Sequence, residues 1–475
     1  MDYPAVMESK AGSSSGESNG KELKCESAID ILEINEPEPE PEPAKWPECC
    51  IYKVPDKLRE VNKEQDAYTP KLVSIGPFHH NLPQLTGIKQ QKLIYFKKFC
   101  LRTKKSSKDL ESIIEKEEKQ IRRYYSETFD QLDSKKFVKI ILLDAIFIIE
   151  LFLRNEEGKK YDYILSDYIL SNAWLESHIK QDLILLENQL PFKFLKKLYK
   201  FAFNGEQVII TPFLELACKF FFSGEHRIPM DKKVKHFTDL QRTFYCPTEY
   251  SKPDQEEHID PLRYTATKLD EAGVQFKPLD DKVLSKKSLL DIEFSKHKCL
   301  ESYPYFNLSW LFACLPCVKS FRFFKIVQCF LKVPPLVIDD HTEALFRNLM
   351  ALEQCHYPSD TYICNYVLLW DSLITTKEDV CLLVDKKVIV NRRGSSKAVT
   401  TLINALGHQI VERESYYHHL YKRLNKHCDN TWIRLVASLT SVYFRDFWRG
   451  TATFAGILVL CFAFWNFLRP FVKKH

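Results

Sequence analysis

The chain has 475 residues, of which 45% are hydrophobic and 13% aromatic, so it can bury a sizeable core. Only 13 of the 475 residues are glycine, which is under 3% of the chain. Average proteins contain roughly 7%. Because helices avoid glycine and the turns of sandwiches and barrels need it, this shortage argues against such β folds and favours helices. The net charge is +5, but the basic residues form no stripe with interleaved aromatics, so no nucleic-acid partner is predicted.

The first 44 residues differ in composition from the rest of the chain. They hold three lysines and eleven acidic residues, and they end in EPEPEPEPA at 36–44. Such a tract cannot offset its ordering entropy by burying apolar surface, so we expect 1–44 to be a disordered acidic tail. The remainder is basic, which suits an anionic membrane leaflet or an acidic partner, or is an ordinary lysine-rich surface.

Fifteen cysteines are present without the regular spacing of a disulfide framework. The N-terminus has no basic stretch followed by an apolar one, so no secretory signal is predicted. We therefore expect a cytosolic domain with reduced thiols, most of them packed as small hydrophobes.

Helical periodicity dominates from residue 88 onward. Apolar residues at helical spacing predict helices over 88–102, 108–129, 137–154, 182–199, 341–355, 366–375 and 397–406. The third of these is nearly all apolar, but it contains Lys139, Asp144 and Glu150. Each charge costs up to about 3 kcal/mol near a bilayer centre, so we interpret it as a buried core helix.

Other stretches interrupt the helices. Pro191 should kink or divide the helix over 182–199. The segment 68–80 is extended and turn-rich, and the polar, proline-rich 245–263 is expected to be an exposed loop. Strand-like composition occurs at 288–294 and 334–339. We predict a mainly α fold, with one multi-helical domain and a few short strands over 45–432.

The C-terminal segment GTATFAGILVLCFAFWNFL, residues 450–468, has no charge. A helix of 19 residues at about 1.5 Å rise per residue nearly matches the ~30 Å hydrocarbon thickness. Arg449, Trp465 and Arg469 stand where interfacial anchoring requires aromatic and basic side chains. We predict a transmembrane helix here; the alternative is a buried C-terminal core helix. The prediction places a juxtamembrane segment, the span and a short basic tail at 433–449, 450–468 and 469–475.

This arrangement predicts a tail-anchored, single-pass membrane protein whose partner through 450–468 is the lipid bilayer. Since no N-terminal signal is evident, the large N-terminal domain should lie in the cytosol, at the plasma membrane or an endomembrane.

Nine spaced segments carry a family resemblance. They are IYKVP (51–55), YTPKLVSIGPFHH (68–80), LLDAIFIIELFL (142–153), DLILLENQLPF (182–192), ATKLDEAGVQF (266–276), SLLDIEF (288–294), PPLVIDDHTEALFRNLMALEQC (334–355), DSLITTKEDVCLL (371–383) and ATFAGILVL (452–460). In this order they resemble the plant family known as domain of unknown function 247. The resemblance implies a plant protein with a C-terminal membrane helix and no established enzymatic activity.

Two polar clusters are weak candidates for a functional site. The adjacent His79 and His80 could bind a metal or exchange protons, but neighbours on an extended segment point to opposite faces, so one packing inward is the simpler interpretation. Asp340 and His341 belong to an acidic cluster before a helix, which could bind a cation. The simpler interpretation is that Asp340 or Thr342 caps that helix.

No other motif predicts a known chemistry. Gly12–Gly16 matches a nucleophile elbow only inside the acidic tail, and Cys314–Cys317 lacks the second pair that a zinc site needs. We predict no catalytic residue, cofactor or metal, and interpret the chain as a membrane-tethered interaction or signalling module with an unidentified protein partner. The alternatives are a membrane-anchored enzyme using His79, His80 and Asp340, and a structural scaffold. A deep pocket joining a histidine to Asp340 would favour the enzyme.

Overall fold

The N-terminal half of the chain is a bundle of helices around one long apolar helix. In the computed structural model these helices are α1 (Asp56–Glu60), α2 (Lys89–Thr103), α3 (Ser107–Arg122), α4 (Ser134–Tyr161), α5 (Ala173–Asp182), α6 (Phe192–Ala202), α7 (Phe213–Phe221) and α8 (Phe237–Tyr245). Short 3-10 helices lie at Pro43–Lys45 and Pro83–Thr86.

The structure describes residues 42–60, 66–161, 167–204, 211–222, 233–247, 260–280, 288–296, 329–408, 410–411 and 415–435, together with 452, 455–456 and 458–466. The predicted acidic tail before residue 42, most of the loop predicted at 245–263, and the motifs Gly12–Gly16 and Cys314–Cys317 lie outside these ranges.

Helix α4 is the centre of the N-terminal bundle, and α2, α3 and α7 pack on it. Every residue from Phe137 to Phe152 is buried except Lys139, Ile140 and Leu143. A helix that is apolar on all sides must be covered on all sides. The interpretation of this stretch as a core helix is therefore confirmed.

The two acidic residues inside α4 have the partners that burial demands. Asp144 pairs with Lys92, while the fully buried Glu150 lies 3.0 Å from Arg102 Nε and 2.8 Å from Arg154 Nε. Burial raises the pKa of Asp144 above its usual value, and the Lys92 ammonium opposes that shift. Without these partners the buried charges would be strongly destabilising.

The C-terminal half combines helices with two small sheets. Its helices are α9 (Ala266–Glu271), α10 (Thr342–His356), α11 (Tyr362–Leu373), α12 (Lys377–Asp385), α13 (Ser396–Gly407) and α14 (His418–Cys428). Its strands are β1 (Val274–Pro278), β2 (Glu293–Lys296), β3 (Cys329–Val333), β4 (Leu336–Ile338) and β5 (Ile389–Asn391). Strand β3 runs parallel to β1 and antiparallel to β2, and β4 runs parallel to β5. The described chain is mainly α, as predicted.

The two halves meet where α8 packs on α10, and Pro43–His475 form one compact unit. Arg242 Nε on α8 lies 2.9 Å from Glu353 Oε1 on α10. The Glu353 carboxylate also accepts hydrogen bonds from the backbone N–H groups of Ile363 and Cys364, at 3.0 and 2.9 Å. Because Glu353 is fully buried, this network ties α8, α10 and the start of α11 together inside the core.

Three predicted elements differ most from the observed ones. The helix expected over 108–129 ends at Arg122, and the strand expected over 288–294 forms only at its end, as β2. The helix expected over 182–199 begins only at Phe192, because Pro191 is its N-cap. Proline lacks an N–H group and fixes φ, so it fits the first turn of a helix and not its interior.

The Glu353 network generates a first prediction. Glu353→Ala should lower the free energy of unfolding by about 3–5 kcal/mol, because it leaves a buried guanidinium and two N–H groups without their acceptor. Glu378→Ala is the control, since that side chain is 62% exposed, and it should cost less than about 0.5 kcal/mol. Urea denaturation gives both values. Equal losses in the two variants would contradict the role assigned to Glu353.

Candidate functional site

An extended segment, residues 68–80, carries the two candidate histidines and is held by side chains rather than by secondary structure. The buried Asp182 carboxylate, at the end of α5, accepts three consecutive backbone N–H groups at 2.6–2.9 Å, those of Lys71, Leu72 and Val73. Burial raises the pKa of Asp182, and these hydrogen bonds oppose the shift. Three donors to one carboxylate hold the backbone firmly.

Two more side chains continue this attachment toward the histidines. Asn188 Oδ1 accepts from the Ile75 N–H at 2.6 Å, and Asp144 Oδ2 accepts from the Gly76 N–H at 2.9 Å. Because Asp144 is on α4, its hydrogen bond to Gly76 fastens the segment directly to that helix, and Asp144 also pairs with Lys92 on α2. We call Asp144, Asp182 and Asn188 the backbone clamp. It fixes the direction in which the chain leaves for His79 and His80.

A cleft of about 940 Å³ opens beside the clamped segment. Its basic lining comprises Lys53, Arg59, Lys89, Lys136 and Lys139, together with both histidines. Its acidic lining comprises Glu127, Asp130 and Glu187. Its apolar lining comprises Pro77, Phe78, Phe129, Leu132, Ile140 and Leu143. The cleft therefore has both an excess of positive charge and a substantial apolar surface.

His79 faces inward at one end of the cleft. Its Nε2 lies 3.0 Å from Glu187 Oε2, within ion-pair range but without the alignment of a hydrogen bond. Glu187 also pairs with Arg59 and accepts the Val54 N–H at 2.7 Å. Burial alone would raise the pKa of Glu187, but His79 and the Arg59 charge outweigh it and hold the pKa below its usual range. This end of the cleft is already internally paired.

His80 presents a nitrogen to the cleft. Its Nδ1 lies 2.7 Å from the carbonyl oxygen of Pro77. Because a carbonyl can only accept, Nδ1 carries the hydrogen and Nε2 is left for another partner. The alternation expected of an extended segment does not apply, because both histidines lie in a turn, where Leu82 N–H donates to the His79 carbonyl at 3.2 Å.

Neither Asp340 nor Thr342 caps α10 as predicted, because its N-cap residue is His341 and no side-chain capping hydrogen bond forms there. Asp339 Oδ1, not Asp340, accepts the N–H groups of His341 and Thr342, at 3.0 and 3.1 Å, at the start of α10. Thr342 contributes through its hydroxyl, which donates to the same carboxylate at 2.9 Å. The side chain of Asp340 points outward instead.

Asp340 and His341 are not part of the cleft lining. The Asp340 side chain is 85% exposed and lies 3.8 Å from Arg393 Nε. His341 instead contacts α5, where its ring nitrogens meet Ser177 Oγ at 3.3 Å and Gln181 Nε2. The four candidate residues therefore form two separate sites rather than one constellation.

The C-terminal apolar segment is helical wherever it is described, at 452, 455–456 and 458–466. Six of its large apolar side chains, from Leu458 to Trp465, are between 55% and 70% exposed. Of the predicted anchoring residues, Trp465 is among them, whereas Arg449 and Arg469 lie outside the described ranges. Across the described ranges, no helix is both long enough and apolar enough to span a bilayer.

Sequence reasoning missed most of the cleft. Lys136, Lys139, Ile140 and Leu143 follow one another at helical spacing on α4, so one face of that helix forms a wall. Lys139 was noticed only as a charge inside an apolar stretch. The sequence did contain a signal for the cleft, namely two lysines on the same face of an otherwise apolar helix. Lysines are costly to bury, so that face was unlike the rest of a core helix.

Within the described ranges, no cluster of three or more histidine, cysteine or acidic side chains is arranged to hold a metal ion. The fold and site define a mainly helical protein with an open, basic and partly apolar cleft.

Comparison with known proteins makes the assignment specific. The model of a family described as plant proteins of unknown function, DUF247, matches residues 51–462, so the chain belongs to that family. The UPF0481 protein At3g47200 of Arabidopsis thaliana is 27% identical over 452 residues, covering 87% of this chain and 84% of that protein. The putative UPF0481 protein At3g02645 of Arabidopsis thaliana is 23% identical over 482 residues, covering 86% of this chain and 88% of that protein. No solved structure matches the chain.

The clamped segment generates a second prediction, at Gly76. Its φ is +73°, and a Cβ there would lie 2.8 Å from the Gln189 carbonyl oxygen and 3.1 Å from the Tyr125 hydroxyl. Gly76→Ala should therefore cost about 2 kcal/mol or more in urea denaturation. Gly87→Ala is the matched control, because nothing lies within 4 Å of its Cβ position and its φ is −59°. A Gly76→Ala protein as stable as the control would contradict the tight packing of this turn.

A third prediction concerns pH. Glu187→Gln should destabilise the protein by about 2 kcal/mol at neutral pH, because a charged acceptor of several partners is lost. The folded pKa of Glu187 is lowered, so as the pH falls below about 4.3 the unfolded chain takes up this proton first. The stability difference between wild type and Glu187→Gln should therefore shrink in acid.

Chemical denaturation of both proteins between neutral pH and acid measures this difference. Glu127→Gln serves as control, since Glu127 lines the same cleft but is 41% exposed in its pair with Lys53. Its effect should be small at every pH. A stability difference for Glu187→Gln that stays constant or grows in acid would show that Glu187 is not ion-paired in the folded protein.

Proposed function

We propose that this protein is a membrane-tethered interaction module, held at the bilayer by the C-terminal segment 450–468. The observation that carries the proposal is the exposure of the helix from Leu458 to Trp465. Its large apolar side chains would each gain about 1.5–3 kcal/mol on full burial, so something must cover them.

The distribution of these side chains favours lipid as the cover. Leu458, Val459, Leu460, Phe462 and Phe464 point to all sides of a helix with 3.6 residues per turn. A helix that is apolar all round belongs in a core or a membrane, whereas one that lies along a membrane surface has a polar face. Their exposure argues against a core position, and the uncharged length of 450–468 suits a bilayer span.

The arrangement of polar groups favours binding over catalysis. The enzyme hypothesis needs a pocket that joins His79 or His80 to Asp340. The cleft lining contains both histidines but not Asp340. His79 is held by Glu187, and the described residues that line the cleft include no serine or cysteine to act as a nucleophile beside His80. The proposal therefore gives the large unit a recognition role, with the tail anchor orienting it toward the cytosol. A purely structural scaffold is the remaining alternative, but a scaffold role does not explain the open cleft.

The fourth prediction tests the anchor. Deleting residues 445–475 should move the protein from the membrane pellet to the supernatant after alkaline carbonate extraction of plant cells. Leu458→Arg with Leu460→Arg should do the same without shortening the chain, because each arginine costs about 2.5–3.5 kcal/mol in the hydrocarbon core.

Leu458→Ala with Leu460→Ala is the matched control, since alanine adds no charge, and this variant should stay in the pellet. If the deleted protein still resists carbonate extraction, the segment is not the anchor. If the arginine variant stays in the pellet while the deletion is released, the segment binds a protein rather than lipid.

A further inference from the structure

The cover of helix α4 has a gap at one place. Between Phe137 and Phe152 only Lys139, Ile140 and Leu143 are not buried, and all three line the cleft. Lys136, one turn earlier on the same face, lines it too. The central core helix is thus left open at the cleft and closed elsewhere along this stretch.

The exposed part of the cleft is apolar as well as basic. Ile140 and Leu143 are half-buried there, as are Phe78 and Phe129, whose ring centroids lie 5.2 Å apart in an edge-to-face arrangement. These partly exposed aromatic and branched side chains leave apolar surface in contact with water, which is unfavourable. An apolar ligand group bound in the cleft would remove that surface from water.

Most carboxylates of the cleft already have partners. Glu127 lies 3.0 Å from Lys53, and Glu187 is enclosed by Arg59 and His79. Three of the cleft lysines, by contrast, are available for a ligand. Within the described ranges Lys89 and Lys139 form no ion pair, and Lys136 lies 4.0 Å from Asp133 with both side chains largely exposed.

The type of cation indicates the type of anion. Among the described residues that line the cleft, the one guanidinium is that of Arg59. It is already occupied by Asp66 and Glu187, so it is not free to bind a carboxylate with two parallel hydrogen bonds. The available groups are ammonium ions, which bind as point charges. Several point charges suit a phosphate dianion better than a single carboxylate.

We propose that this cleft binds a small organic phosphate, with its apolar body against Phe78, Phe129, Ile140 and Leu143 and its phosphate among Lys89, Lys136 and Lys139. The site does not depend on the membrane anchor, so it goes beyond the proposed function and can fail separately from it. The same chemistry could come from a soluble phosphate ester or from the headgroup of an anionic lipid.

Isothermal titration calorimetry of the full chain in neutral maltoside micelles tests the site, with phenyl phosphate as the probe. Phenyl phosphate should bind saturably with one site per chain. Inorganic phosphate, which lacks the apolar body, and phenol, which lacks the charge, should each bind at least about tenfold more weakly. Adding phosphatidic acid to the micelles distinguishes the two sources. If the site binds lipid headgroups, phosphatidic acid should compete and weaken phenyl phosphate binding. If the site binds only soluble phosphate esters, phenyl phosphate binding should not change.

Paired variants locate the binding. Lys136→Gln with Lys139→Gln should weaken phenyl phosphate binding about tenfold, as expected for two partly exposed charge contacts. Lys97→Gln with Lys98→Gln removes the same charge from the exposed face of α2, away from the cleft lining, and should leave the affinity unchanged.

Three results would overturn the proposal. Absence of saturable phenyl phosphate binding by the wild-type chain would remove the site altogether. An equal loss in the two double variants would show that only the overall charge matters. Inorganic phosphate binding as tightly as phenyl phosphate would show that the apolar lining takes no part.

Discussion

The structure depends on the requirement that buried backbone N–H groups find acceptors. The segment 68–80 crosses the N-terminal bundle without belonging to a helix or sheet, so secondary structure cannot satisfy it. The backbone clamp of Asp144, Asp182 and Asn188 supplies the acceptors instead. Because Asp144 is on α4 and Asp182 ends α5, the clamp fixes two helices and the extended segment as one assembly, and the cleft is a consequence of where that segment emerges.

This constraint gives a physical meaning to the motifs that carry the family resemblance. YTPKLVSIGPFHH is the clamped segment, LLDAIFIIELFL contributes Asp144, and DLILLENQLPF contributes Asp182 and Asn188. Glu187 and Gln189 of the last motif likewise satisfy distant backbone groups, the N–H groups of Val54 and Phe237. Folding alone thus accounts for these polar residues.

Charge is managed differently in the core and at the cleft. Inside the core, burial dominates and raises the pKa of Asp144, Asp182 and Glu353 in spite of their partners. At the cleft, Arg59 and His79 outweigh burial at Glu187 and lower its pKa. The core therefore uses its charges to fix geometry. The cleft leaves lysines free beside exposed apolar side chains, which is an arrangement suited to recognising a ligand.

The sequence by itself determined what is local. Scarce glycine and helical periodicity predicted the mainly α fold, and Asp144 and Glu150 identified α4 as a core helix, because such signals lie within one or two turns of chain. The tertiary structure alone decided which groups meet. Asp182 binds the N–H of Lys71, 111 residues away, and His80 shares a cleft with Lys139, while Asp340, equally suggestive in sequence, lies apart from it. Contacts between distant residues follow from the packing of the whole chain, and no local pattern encodes them.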